Sequence, residues 1–250
     1  MIEKMLLREA KKEQETKPKN DGIIEFTKVL EADKLLCDLE KYPHAFLLSC
    51  IGDKQMDSTA AWLIPYKLKE LIGDFSIKTL YNMSLKQLQE LFATGKLHRY
   101  NNQIPIEYYS AIHRIVDEYD GDASNIWKGN PSSATVIRRL LEFDGVGVKI
   151  ATMTTNILSR DFGIKFSDRY AIDISVDTHI RRVFKRMNLI NSKIKNKEKD
   201  LIIYKAREIY PEYPGILDAF IWNFGREVCV DKGKPKCDQC VFKDECPKNI

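Results

Sequence analysis

No stretch of the 250 residues approaches the roughly 18 consecutive apolar residues that a membrane-crossing helix needs. A helical membrane protein is therefore excluded. The leader, residues 1–22, is rich in Lys and Glu and lacks the apolar centre of a secretory signal. It reads as a polar segment, disordered or loosely helical, ahead of a soluble cytoplasmic chain. No phosphate-binding loop ending in Gly-Lys-Ser/Thr, no dinucleotide fingerprint and no histidine pair at metal spacing is found. Of the four histidines, His44, His98 and His113 read as structural or exposed. No fixed-period repeat or low-complexity linker occurs, and no apolar/polar alternation runs long enough to demand a sheet. The segment Asp120-Gly-Asp122 resembles the start of a calcium loop, but the remaining acidic positions and closing Glu are missing.

Charge of one sign is scarce too. The net charge of +4 is small, but it is unevenly placed. From Arg181 onward there are 16 Lys and Arg against 10 Asp and Glu, leaving 24 against 26 in the rest of the chain. A basic final third on a near-neutral body suits a surface that faces phosphates, or a solvated face. The Lys-rich run from Lys193 to Lys199 fits either reading.

What is present is mostly helical. Ile216, Leu217, Phe220, Ile221 and Phe224 fall on one stripe of an amphipathic helix. Similar spacing recurs around Leu85–Phe92, Ile112–Tyr119 and Val136–Leu141. An all-α fold follows.

Two helical patterns meet at Asp144-Gly-Val-Gly147, with Val136, Ile137, Leu140 and Leu141 before and Ile150, Ala151 and Thr154 after. Gly145 and Gly147, with Val146 between them, allow a close backbone approach to another molecule. The free N–H groups and positive dipole end of the second helix would point at that molecule, an arrangement that binds phosphate without basic side chains. Lys149 stands in the first turn of this helix, where the dipole disfavours an ammonium group. An amine that attacks carbon must be uncharged, so Lys149 is the candidate nucleophile. Partial burial would help it further; a surface lysine covering the hairpin is the plainer alternative. Asp177 precedes the pattern Ile180, Val183, Phe184 and Met187 and reads as a helix N-cap, a rigidly held carboxylate able to face a cationic intermediate. His179, two residues on, is a lesser candidate for substrate contact.

Four of the six cysteines, Cys229, Cys237, Cys240 and Cys246, crowd into 18 residues. In a chain not built on disulfides such crowding reads as a metal site, and the spacing admits zinc or a [4Fe–4S] cluster. Lys232, Lys234 and Lys236 in the intervening loop are candidate phosphate contacts. Cys37 and Cys50 sit in apolar company and read as buried thiols.

The hairpin Phe143–Ala151, then Val176-Asp-Thr-His179, then the four cysteines, in that order, resemble the helix–hairpin–helix DNA glycosylases of the endonuclease III branch. The resemblance runs from about Ala45 to Pro247. It implies two helical domains with the active-site cleft between them: a six-helix domain carrying the hairpin, residues 45–172, and a [4Fe–4S] cluster domain, residues 23–44 plus 173–250. It implies that Lys149 is the nucleophile, that Asp177 is the catalytic aspartate, and that the four cysteines hold a [4Fe–4S] cluster. The partner would be double-stranded DNA with a damaged base or an abasic site, bound by a monomer through the hairpin. Base excision would proceed with lyase cleavage, and oxidised pyrimidines are the implied lesions. A glycosylase using Asp177 alone, or a catalytically silent iron–sulfur module for DNA binding or redox sensing, are the competing readings.

The chain departs from the pattern in four places. Asp144 stands where proline is usual. Ser159–Ala171 is longer than usual and reads as a loop near the cleft. Gln55 is displaced from the position of a DNA-inserting glutamine. The first cysteine gap is one residue longer.

Overall fold

The computed structural model describes residues 1–16, 22–191, 193–194 and 196–248. Residues 17–21 of the leader and Lys195 of the basic run lie outside the described residues. Among the described residues the elements are helical, with no strand. In chain order they are α1 (Ile2–Thr16), α2 (Leu30–Cys37), α3 (Pro43–Gly52), α4 (Ser58–Trp62), α5 (Ile64–Ile72), α6 (Ile77–Tyr81) and α7 (Leu85–Thr94). There follow α8 (Ile104–Glu118), α9 (Ser133–Leu141), α10 (Val148–Arg160), α11 (Thr178–Arg186), α12 (Glu198–Ile209) and α13 (Leu217–Glu227). The periodic segments read from sequence all fall on helices. Ile172–Val176 is a buried connector between α10 and α11.

The helices form two cores. The first is organised around α3, whose ten residues are all buried. With no polar face, such a helix is stable only when surrounded on every side. Helices α2, α4, α5, α8 and α10 supply those surroundings. Fully burying each large apolar side chain contributes about 1.5–3 kcal/mol. The approach of α8 is close: a Cβ on Gly52 would lie 2.7 Å from the Tyr108 hydroxyl. Serine caps set the helix starts around this core, with Ser76, Ser84 and Ser132 each accepting a backbone N–H of the first turn.

The second core gathers Ile180, Val183 and Phe184 of α11, Ile202 and Ala206 of α12, and Leu217, Ile221 and Phe224 of α13. It also takes Leu6 and Ala10 of α1, buried at 0% and 2% exposure. Of the leader, read as disordered or loosely helical, the first sixteen residues are a helix docked on this lobe, because Leu6 and Ala10 share its inner face. Residues 23–44 do not accompany the second lobe, because Leu35 and Leu36 pack into the first core. The lobes are joined where Asn156 Nδ2 donates to the Gly215 carbonyl (2.9 Å) and Gly215 N donates to the Ile172 carbonyl (2.7 Å). A Cβ at Gly215 would lie 2.8 Å from the Ile172 side chain, so only glycine allows this contact.

Candidate active site

A cleft of about 630 Å³ opens between the lobes. One wall is a face of α10, where Lys149, Met153, Asn156 and Arg160 recur at helical spacing from the hairpin downward. The opposite wall is α13, through Asp218, Trp222 and Arg226. Asp177 and His179 enter from the start of α11, and Asp53 and Trp62 from the end of α3 and from α4. Phe26 lies flat on Trp62, with ring centroids 4.4 Å apart and planes 8° apart. Its own backbone and that of the next residue are held by the Asp33 carboxylate, which accepts from Phe26 N and Thr27 N.

The structure thus brings Lys149 and Asp177, 28 positions apart in sequence, into one cleft. Asp177 is the N-cap of α11: its Oδ1 accepts from Ile180 N at 2.8 Å. That bond fixes the carboxylate through one of its oxygens. Lys149 stands exposed at the cleft mouth, so the partial burial expected for it is not found. Its charge acts instead on a neighbour. Burial pushes the Asp53 carboxyl above the usual carboxylate range, and Lys149 and the Trp62 indole partly oppose that rise.

Gly145 has φ +76°, and a Cβ there would collide with Glu107 and Lys54, which form an ion pair beneath the hairpin. Its closest approach is thus to its own protein. Val146 is only 8% exposed and its N–H is taken by the Phe143 carbonyl (3.0 Å). Gly147, the open N-cap of α10, and the first turn after it carry the outward N–H groups. Asp144 accepts from the Ser110 hydroxyl at 2.6 Å, which ties the hairpin to α8.

Gln55 is exposed at the tip of the α3–α4 loop with φ +50°. Its carbonyl accepts from Arg99 (2.9 Å) and its Oε1 from the Tyr100 hydroxyl (2.6 Å). It does not line the cleft. The 159–171 segment is not chiefly a cleft loop. Arg160 and Asp161 face the cleft, but Asp168 turns back to accept from Ser133 at the start of α9 (2.5 Å), and Phe162 packs edge-on to Phe46.

The four cysteines Cys229, Cys237, Cys240 and Cys246 are free thiols facing one cavity of about 30 Å³. Among the described residues, no group of three His, Cys, Asp or Glu is arranged to hold a single metal ion. The donors around the sulfurs suit anionic thiolates: Phe242 N points at Cys240 Sγ (3.4 Å) and Arg186 Nη1 at Cys229 Sγ (3.5 Å). Burial raises the Cys240 thiol, and the other three cysteines raise it further, as expected of four neighbouring sulfurs. Arg182 donates to the carbonyls of Cys229 (2.8 Å) and Gly225 (2.6 Å) and meets His179 Nδ1 at 2.9 Å. A guanidinium can only donate, so Nδ1 accepts. Lys185 pairs with Glu198 at 2.6 Å. Much of the positive charge of α11 therefore holds the protein together. Lys232, Lys234 and Lys236 are exposed on the loop, away from any such partner among the described residues.

Cys50 is fully buried and burial pushes its thiol up, as it does for Cys37, which accepts from Ile24 N at 3.1 Å. His44 Nε2 is bonded to the Phe75 carbonyl (2.7 Å), a structural role. Asp53, Asn156, Arg160, Asp218 and Trp222 are cleft residues that the sequence reading missed. The detectable signal was the polar face of α13, where Asp218, Trp222 and Arg226 sit four apart opposite the apolar stripe.

No protein-family model matches the chain. A 213-residue alignment to endonuclease III of Sulfolobus acidocaldarius is 35% identical and covers 84% of each chain. An endonuclease III homolog of Encephalitozoon cuniculi is 26% identical over 116 residues, 46% of this chain and 42% of that protein's length. In three dimensions the chain superposes on a trapped covalent endonuclease III–DNA intermediate with a TM-score of 0.62 at 19% identity. That match covers 98% of this chain and 94% of the other. The two-lobed, all-helical fold is that of the helix–hairpin–helix DNA glycosylases. The chain belongs to the endonuclease III family, and it is an enzyme of base-excision repair.

Proposed function

We propose that the protein is a bifunctional glycosylase, which removes a damaged base from duplex DNA and cuts the strand at the resulting abasic site. The observation that carries this is the meeting of an amine and a capped carboxylate, Lys149 and Asp177, in one cleft wide enough for a nucleotide. C1′ is enclosed while its base is stacked, so the nucleotide must first swing out of the duplex. The Lys149 amine then attacks C1′ as the base departs with the bonding electrons. The sugar ring opens to a Schiff base, loss of a C2′ proton follows, and the 3′ C–O bond breaks by β-elimination. The Asp177 carboxylate stabilises the positive sugar and takes part in proton transfer. The N-terminal N–H groups of α10 hold a phosphate beside the lesion. That a solved relative of the same fold is a covalent DNA complex supports this reading.

The cysteine-lined cavity fits a [4Fe–4S] cluster held by Cys229, Cys237, Cys240 and Cys246, since four thiols share it with inward N–H and cationic groups. Bound there, the cluster would supply folding free energy to the C-terminal segment. A brown protein absorbing near ~410 nm is the expected signature. The enzymatic test is borohydride reduction on an abasic-site duplex. A covalent adduct is expected from the wild type and not from Lys149→Ala. Base release without any adduct would instead make the protein a glycosylase that uses Asp177 alone.

A further inference from the structure

Asp53 lines the same cleft as Lys149 and Asp177 but has no part in the scheme above. It closes α3, its N–H donating to the Cys50 carbonyl at 3.3 Å. Helices α3 and α10 pack with their chains running in opposite directions, and two contacts fix their register. Cys50 of α3 meets Thr154 of α10, and Lys54, just past α3, lies beneath Gly145, just before α10. Asp53 falls between the first pair of positions and Lys149 between the second, so the packing turns the carboxyl toward the amine. Trp62, only 5% exposed, sets its indole N–H on the same carboxyl, and Phe26 stacks on the Trp62 ring.

A lysine amine in contact with water carries its proton at neutral pH and must lose it before it attacks carbon. Asp177 is tied through Oδ1 to Ile180 N and is engaged by the sugar cation, so the lysine proton needs a second acceptor. Burial makes the Asp53 carboxylate a better base than an ordinary one, and Asp57, the N-cap of α4, adds to that. Lys149 and the indole N–H oppose the rise and favour the ionised form, the one that can take a proton. Of the other charged groups nearby, Lys54 is turned to Glu107, while Glu25 and Asp177 face the cleft from the segment before α2 and from α11.

Resting on the lyase reading above, we propose that Asp53 is the proton acceptor for Lys149 as the Schiff base forms. At the open-chain aldehyde of an abasic site, the Lys149 ammonium gives one proton to the Asp53 carboxylate. The freed nitrogen pair makes the N–C1′ bond while the C=O π pair moves onto oxygen. A second nitrogen proton passes to that oxygen and gives a carbinolamine. The Asp53 carboxyl then returns its proton to this hydroxyl, which leaves as water while the nitrogen pair makes the C=N bond. Asp53 ends ionised, as it began.

The test is a single-turnover experiment with holoprotein in excess over an abasic-site duplex, buffered at points between about pH 6 and 9, where a lysine amine is largely protonated. Samples quenched with borohydride at timed intervals count the Schiff base formed. Asp53→Asn keeps the size of the side chain and an oxygen to accept the indole N–H. It should form the adduct about a hundredfold more slowly near neutral pH, as for other lost acid–base groups, with DNA affinity unchanged. The deficit should shrink as pH rises, because hydroxide then takes the proton instead. If Asp53→Asn does not fold, Trp62→Phe removes the indole N–H and keeps a ring against Phe26. Asp53 then ionises at higher pH, and the acidic limb of the wild-type profile should move up with it.

A rate in Asp53→Asn within a few-fold of wild type, or a deficit that is constant with pH, overturns the proposal and leaves the lyase reading intact. An acidic limb unmoved in Trp62→Phe, where Asp53→Asn does not fold, does the same. No adduct from the wild type at any pH would overturn both.

Discussion

The hairpin and the cysteine loop both carry glycine in a left-handed turn, Gly145 at φ +76° and Gly233 at φ +86°, yet they are held in opposite ways. The hairpin is supported from beneath by ordinary protein groups: the Lys54–Glu107 pair under Gly145, and Ser110 bonded to Asp144. The cysteine loop is clasped from the side by Arg182 and Arg186, which reach its first carbonyls from α11. Its interior is a small cavity walled by four thiols. One turn is braced by an ion pair and a hydroxyl bond; the other lies against the four cysteines proposed to hold a cluster. Between them runs α11, whose N-cap is Asp177 and whose last residue is Arg186, so that the carboxylate proposed to act in the chemistry and the loop clasp share one short rod.

The comparison is broken most severely by Cys237→Ser. If Cys237 is one of four ligands of the proposed cluster, its removal should abolish the brown absorbance and unfold much of the C-terminal segment, lowering thermal stability by several kcal/mol, because the free energy of binding a structural metal group is folding free energy. A colourless but equally stable variant would show that the loop stands without its cluster. Gly145→Ala is expected to cost about 2 kcal/mol, since a side chain at that φ is strained and also strikes the buried ion pair. Chemical denaturation should show this as a lowered midpoint with the colour retained, which separates the two turns.

Asp218→Asn should act in the opposite direction, with a dependence on pH. The folded state raises this carboxyl from 3.8 to about 6 by burying it, so folding favours the protonated form. That contribution is complete below about pH 4 and is lost as pH rises through about 6. At pH 7.5 the buried carboxylate is a cost on the order of 3 kcal/mol that the uncharged amide does not bear. The variant is therefore expected to melt higher than wild type at pH 7.5 and together with it near pH 4. Arg160 and Asp177 are the charged neighbours that set the size of the difference. A gap that is constant with pH would remove the ionised Asp218 from the account.

The smallest effect on the fold belongs to Lys232, Lys234 and Lys236 replaced together by Gln. Colour and melting temperature should stay within error, because all three are exposed. If they touch phosphates, the slope of log affinity against log salt should shrink by about 0.9 per lost contact, equally for damaged and undamaged duplexes. An unchanged slope would leave DNA binding to the hairpin alone.

Much of this was legible in the chain before folding. Helical periodicity placed α7, α9 and α13 because a helix that buries one face must repeat its apolar residues at that period. Gly145, Asp177 and the four cysteines were legible because turns, caps and metal sites make local demands on residue type. Asp53 and Asp218 were not. An aspartate inside a helix or at its end reads as solvated until its neighbours are known, and theirs come from other elements. The docking of α1 escaped for a similar reason: Leu6 and Ala10 make a stripe too sparse to stand out, and its partners lie some two hundred residues away.

By itself, then, the sequence determined the helices, the hairpin, the cap and the cysteine cluster, all of which depend on residues within a few turns of one another. Only the tertiary structure decided that Lys149 stands exposed at the cleft mouth, that the arginines of α11 hold the cysteine loop, and that Asp218 and Ser175 are buried against the cleft. Those outcomes depend on burial and on charges brought together from distant segments, and neither exists until the two lobes pack.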